Sequence, residues 1–465
     1  MDQHGAAISP QSAMESKQIA VSRMSPELSL PPILCNQVIS KHFSAQKNTL
    51  SKRKSTTHSH SQTFFSTKKT LSKRKATWVS VLSADSSSLP SCCCVLLNSR
   101  ADVAVRYTFD DLNIIAAKMP TSLFDSLQRV RDPSTLDIAM DPIDYPHYDE
   151  EASDASDYYH HRSLQGGGEV LLYGLSLVQA QEAWNSGYTG QTITVCVIDS
   201  GLDANHEDLR DADKSGFSIT SENWNKDTCS HGTHVAGAIA ATRNNGLGVA
   251  GVAPNVRLII AEVFESPGGR CGGVSVTDTI AAARQCQEEG TDIINVSLGS
   301  VRSFQSWEND AYESLQSQGV LVVASAGNSG TTSYNYPASY DSIVSVAAID
   351  SDKELCTGSQ RNDQVDLAAP GVAVLSTVNG NDYRYFTGTS MASPHVAGVA
   401  ALVWSSNPLA GPVLLLLNFH CCCIVVFVAC LLLLCCCCIA AVVVVVVVCC
   451  VILVIVVSSF LSHCF

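Results

Sequence analysis

Between residues 192 and 350, short and nearly unbroken apolar runs alternate with segments of helical periodicity, and few folds accommodate that alternation. TITVCVID (192–199), RLIIAEVF (257–264), DIINVSLG (292–299), VLVVASAGN (320–328) and IVSVAAID (343–350) read as strands, because they are short and rich in β-branched residues. Between them, SVTDTIAAARQCQEEG (275–290) opens on a polar cap, carries apolar residues at helical spacing and closes on Gly. A second helix runs from Trp307 to Gln318 and stops at Gly319. Strands with so few polar positions are covered on both faces, so the expected class is α/β, a parallel sheet with helices on both sides. Sites in such sheets form just beyond the carboxyl ends of the strands. Asp199, Ser297-Leu298-Gly299 and Asn328 stand at those ends and should face one edge.

Charge divides the 465 residues into four regions. Residues 1–100 carry a net +9, residues 101–164 a net −8 and residues 165–408 a net −15, while the tail from 409 has no Asp, Glu, Lys or Arg. The acidic third region excludes nucleic acid as its natural partner. The leader repeats TLSKRKSTTHS (49–59) as TLSKRKATW (70–78), which reads as disordered low-complexity sequence or as a nuclear or nucleic-acid-binding arm. The opening MDQHGAAISP lacks a charged-then-apolar secretory pattern. The tail runs through LLLL, CCCC and VVVVVVV, and by length residues 413–457 could cross a bilayer. Leu, Cys and Val are also what the three frames of a TTG repeat encode, so translated repeat DNA is the alternative origin. Of the 20 cysteines, only Cys196, Cys229, Cys271, Cys286 and Cys356 fall within residues 165–408, and an odd number leaves at least one thiol unpaired.

The chemistry-bearing residues lie in that third region. Ser390, in TGTSMASPH, starts an Ala/Val-rich helix, where an N-terminus favours developing negative charge. His231 opens HGTHVAGAIAA (231–241) and could serve as its base, whereas His234 and His395 read as structural. Asp199, followed by Ser-Gly, is a carboxylate at the mouth of a buried strand and could orient the imidazole. Cys229 precedes His231 by two residues, and a bond to Cys271 would clamp that loop, although spacing alone does not assign it. Cys196, inside a strand, reads as a buried free thiol.

VIDSG, HGTHVAG and GTSMASPHVAG stand in the order Asp, His, Ser. With VVASAGNSG and INVSLGS, they make residues from about 170 to 408 resemble the subtilisin-like serine proteases. The resemblance implies a serine endopeptidase with an Asp199–His231–Ser390 triad and an acyl-enzyme intermediate, and with no cofactor for catalysis. It implies Asn328 as an oxyanion donor. It also implies an S1 pocket walled by Ser297, Leu298, Gly299, Ser325, Ala326 and Gly327, small and uncharged, suited to an apolar or broad preference. Asp208 and Asn245 align with ligands of the family's structural calcium site, with Glu169 near the third position. Residues 101–165 resemble the inhibitory propeptide, though no first strand is recognisable before Val105, and processing is expected between Arg162 and Val170. A secreted monomeric zymogen acting on proteins or peptides follows from the resemblance. The family's pattern breaks off after WSSNP (404–408), so a truncated catalytic domain over 166–408 is expected, and an inactive or membrane-tethered product is the alternative.

Overall fold

The computed structural model describes residues 76–83, 103–112, 114–130, 136–147, 149–150, 168–220, 222–264 and 269–408. The first KRK repeat, the acidic run after Glu150 and the apolar tail lie outside them. Among the described residues, no helix is long and apolar enough to cross a membrane.

The expectation that residues 1–100 form only a low-complexity leader is corrected by strand β1 (Ala76–Ser83). Its Trp, Val and Ser-rich sequence suits a pleated surface. It pairs antiparallel with both β3 (Ile114–Pro120) and β4 (Leu136–Met140). Adding β2 (Ala104–Phe109) gives a four-stranded sheet in the order β2-β3-β1-β4. Helix α1 (Thr121–Val130) packs on it and buries Leu123, Phe124 and Leu127, one stripe of a helix. The strand missing from the sequence reading is therefore a central one, placed before Val105.

Two short strands lead out of this module. These are β5 (Ile143–Pro146) and β6 (Asp149–Glu150). After helices α2 (Tyr173–Leu177) and α3 (Ala180–Asn185), the chain builds the large sheet. Its strands are β7 (Thr194–Asp199), β8 (Lys214–Ser218), β9 (Arg257–Glu262), β11 (Ile293–Val296), β13 (Leu321–Ser325), β15 (Ile343–Ile349) and β16 (Leu367–Pro370). They are all parallel, in the order β16-β15-β13-β11-β7-β9-β8.

Side chains alternate between the two faces, as the pleat requires. Val195, Val197, Leu258, Ile260, Leu321 and Val323 join one core with α4 (His231–Ala240) and α7 (Thr389–Ser406). Cys196, Ile198, Ile259, Ile294 and Val322 join the other with α5 (Val276–Glu288) and α6 (Ser306–Ser317). This is the α/β architecture expected, with α4 and α7 both delivering their N-termini to one sheet edge. The alternation also explains Cys196, which is bonded to Cys286 of α5 and is not the free thiol expected. Cys356 is the free cysteine among the described residues. Phe109 and Ile114 of the N-terminal module join the α5–α6 core, and Arg106 and Tyr107 bond to Asp278 at 2.9 and 2.7 Å.

The run DIINVSLG, one strand in the sequence, is divided at Ser297. Residues 298–301 leave the large sheet as β12 (Leu298–Val301), which pairs with β14 (Asn335–Tyr336) on one side and β5 on the other. Strand β10 (Val274–Ser275) flanks β5 opposite, giving the order β10-β5-β12-β14. A hairpin of β17 (Val374–Val378) and β18 (Asp382–Thr387) completes the edge, and β6 pairs with β18.

Candidate active site

Asp199 ends β7 and His231 begins α4, and their side chains meet with no exposure to solvent. His231 Nδ1 lies 2.7 and 2.9 Å from the two carboxylate oxygens, and Oδ1 also accepts the Ser200 N–H at 2.7 Å. The close approach depends on Gly232, because a Cβ there would collide with the Gly201 carbonyl oxygen. The start of α4 is capped by a carboxylate that the sequence reading missed. Asp227 accepts the N–H groups of Cys229, Ser230 and Thr233 and the Thr233 hydroxyl. It also accepts the Ser200 hydroxyl, whose oxygen in turn accepts Gly232 N–H. Burial pushes the Asp227 carboxyl up to about 6. Cys229 is bonded to Cys271, 42 positions on in sequence, with Cα atoms 5.3 Å apart.

Ser390 lies in the first turn of α7, a helix apolar on all sides and therefore buried almost throughout. Pro394 removes the N–H that would bond the Ser390 carbonyl. Ser297 Oγ supplies that donor at 3.0 Å, while also bonding Ser393 and accepting Asn295 Nδ2. Ser390 Oγ donates to the Ser297 carbonyl at 2.9 Å. Ser297, expected as a wall of the S1 pocket, thus bonds the helix turn that carries Ser390. Asn328 Oδ1 accepts both the N–H and hydroxyl of Thr389, at 3.0 and 2.9 Å. That leaves the Nδ2 amide as the group this side chain can donate elsewhere.

The cleft is filled by the chain itself. Strand β5 brings His147 to Ser390: the His147 N–H donates to Ser390 Oγ at 2.9 Å, and the Ser390 N–H donates to the His147 carbonyl at 3.1 Å. Leu298 and Gly299 pair with Pro146 and Tyr145. The His147 ring lies between Ser325 Oγ (2.9 Å from Nδ1) and the Gly299 carbonyl (3.0 Å from Nε2). Burial pushes the imidazole down to about 4. Gly327 has φ +107 and donates to Thr389 Oγ1, and Ala326 is buried with its N–H on Val346. A Cβ at Gly299 would strike the Tyr336 carbonyl, the Asn335 amide and the His147 ring, so glycine is what leaves room there. The two ring nitrogens of His147 thus meet a hydroxyl and a carbonyl.

The expected calcium ligands do not form a ligand set. Asp208 Oδ1 accepts Asn245 Nδ2 at 2.6 Å, and its Oδ2 accepts Val249 N–H and the Tyr383 hydroxyl. Asn245 Oδ1 accepts Leu247 N–H, and Glu169 accepts Asn244 N–H. Calcium takes six to eight oxygens, and here the Asp208 and Asn245 oxygens face protein donors. Among the described residues, no group of three or more His, Cys, Asp or Glu could hold a metal.

Residues 190–414 match the subtilase family pattern. The chain is 40% identical over 244 residues to subtilisin DY of Bacillus licheniformis, covering 52% of this chain and 86% of that protein. The chain belongs to the subtilase family. It is a serine-type endopeptidase of the subtilisin-like class. Alkaline elastase YaB of Bacillus sp. (strain YaB) is 42% identical over 240 residues, covering 52% of this chain and 61% of the elastase. Subtilisin E of Bacillus subtilis (strain 168) is 39% identical over 245 residues, with 52% and 62% covered. Membership rests on segments that include the strand ends and helix starts described above.

Proposed function

We propose that this subtilase is a secreted zymogen, that Asp199, His231 and Ser390 are its triad, and that the first bond it cuts is its own His147–Tyr148 bond. The observation that carries this is the placement of His147. Its carbonyl oxygen already accepts the Ser390 N–H, the position an oxyanion would take. The chain is also held on both sides of the bond, by β5 on β12 before it and β6 on β18 after it.

In this reading, the Ser390 hydroxyl attacks the His147 carbonyl carbon as its proton passes to Nε2 of His231. Asp199 holds Nδ1 and stabilises the imidazolium. The oxyanion is met by the Ser390 N–H and by Asn328 Nδ2. His231 then returns the proton to the Tyr148 nitrogen, which leaves, and water hydrolyses the ester. The processed bond therefore moves from the expected 162–170 region to 147–148, and the module before it becomes the inhibitor. Proteins or peptides that can lie as β5 does are the later substrates.

Labelling of the full chain with a fluorophosphonate, beside a Ser390→Ala variant, tests this. Serine-dependent labelling is expected. Equal labelling of the variant, or none of the folded wild type, contradicts it.

A further inference from the structure

The cleft holds its own segment by more than backbone pairing. Counting back from the His147–Tyr148 bond, His147 is the first residue, Pro146 the second, Tyr145 the third and Asp144 the fourth. Tyr145 is 54% exposed and Ile143 39%, so the cleft reads little of either, whereas Asp144 is fully buried. Its Oδ1 accepts the Ser300 hydroxyl at 2.6 Å and Arg302 Nε at 3.3 Å. Arg302 is itself held in place. Its Nη atoms meet Glu308 at 2.7 Å, and its guanidinium carbon lies 5.4 Å from the centre of the Tyr336 ring. Glu308 in turn accepts the Tyr340 hydroxyl at 2.7 Å.

One edge of the guanidinium is therefore committed to the enzyme and the Nε edge is presented to the occupant of the cleft. A planar fork fixed this way loses little freedom when a carboxylate arrives. An apolar residue in the same place would leave the Nε–H and the Ser300 hydroxyl without an acceptor in a site where Arg302 is only 11% exposed, and an asparagine would keep the acceptor oxygen but not the charge that faces the guanidinium.

The first-residue pocket makes a second demand. The Gly299 carbonyl can only accept, so the ring nitrogen facing it carries the hydrogen, and Nδ1 then accepts from Ser325. A neutral imidazole satisfies both ends, and a phenyl ring satisfies neither.

We propose that the mature cleft selects sequences with aspartate four residues before the cut bond and histidine immediately before it, Arg302 with Ser300 reading the aspartate and Ser325 with the Gly299 carbonyl reading the histidine. This rests on the processing reading above, and it names the substrate class: acidic-x-Pro-His segments of proteins.

The test uses the full chain after expression, its active sites counted by fluorophosphonate labelling. The probes are the p-nitroanilides of Asp-Tyr-Pro-His, Asn-Tyr-Pro-His and Asp-Tyr-Pro-Phe. The expected kcat/KM falls at least about tenfold for Asn in place of Asp and for Phe in place of His. In Arg302→Met/Glu308→Gln, which removes both charges together, the Asp-to-Asn ratio should fall to about one while the His-to-Phe ratio persists. A labelled wild type that cuts all three equally overturns the inference without touching the triad, and needs no variant to fold. A retained Asp preference in the double variant overturns the role of Arg302. Absence of labelling contradicts the processing reading and removes the inference with it.

Discussion

The backbone N–H of Ser390 donates to the carbonyl oxygen of His147, 243 residues earlier in the chain, at 3.1 Å. A peptide carbonyl in that place is polarised by the group that would stabilise its tetrahedral adduct. The N-terminal module and the large sheet are thus joined at Ser390, and in the proposed reading the chain presents one of its own bonds as the first substrate.

Asn328 is expected to act through its amide. Its Oδ1 is occupied by Thr389, so Asn328→Asp keeps that acceptor and replaces the donor by a carboxylate oxygen that can only accept and carries charge. Steady-state kinetics on a peptide substrate should show kcat lowered by about 10²–10³ with KM little changed. A change confined to KM would place Asn328 in ground-state binding.

Ser297 serves the fold of the turn that carries Ser390. Ser297→Ala leaves the Ser390 carbonyl, already freed by Pro394, without its donor in a buried site. Thermal unfolding should show a loss of about 1–3 kcal/mol. Unchanged stability would mean that the carbonyl finds another partner.

Acid should unfold the catalytic part through its buried histidines. His234 gives Nε2 to the Val374 and Arg384 carbonyls, stacks on Phe386, and has Nδ1 buried without a partner. Burial, reinforced by the charge of His231, depresses it to about 3, and burial depresses His395 to about 4. The folded values lie below the ordinary histidine value of about 6.5, so the stability they confer is complete above that pH. It is lost as pH falls through 6.5 toward 3. Melting temperatures measured between pH 7 and 4 should decline less steeply in His234→Gln than in the wild type; parallel slopes would contradict the assignment.

Docking of the N-terminal module should depend on Asp278. Arg106 and Tyr107 both bond to it, and Arg284 of the same helix pairs with Asp111. In Asp278→Ala, the severed module should leave at least about tenfold faster, seen as loss of co-elution and earlier release of peptidase activity. Unaltered co-elution would assign docking to β5 and the apolar contact alone.

Much of this was legible before the structure. The strands announce themselves because buried parallel strands tolerate few polar residues, and the Asp, His and Ser segments need glycine and small residues where backbones approach. His147 was not legible. It stands in DYPHYDEE, which has no periodicity, and only the pairing of β5 with β12 brings it to Ser390. Arg302 and Asp144 are 158 residues apart in sequence and meet only through that same pairing. Strand alternation puts Cys196 on the face that α5 covers, but nothing local says that Cys286 arrives there. For Asp208 and Asn245, residue type suggested oxygen ligands, whereas here Asn245 donates its amide to Asp208 and turns its own oxygen to Leu247 N–H.

The most direct measurement is the N-terminal sequence of the large fragment that appears when the full chain is expressed, with Ser390→Ala alongside. A fragment beginning at Tyr148 in the wild type, and an uncut variant, is the predicted result. A wild type left intact, or first cut elsewhere by the same serine, would contradict the assignment of His147–Tyr148 as the bond this cleft is built to break.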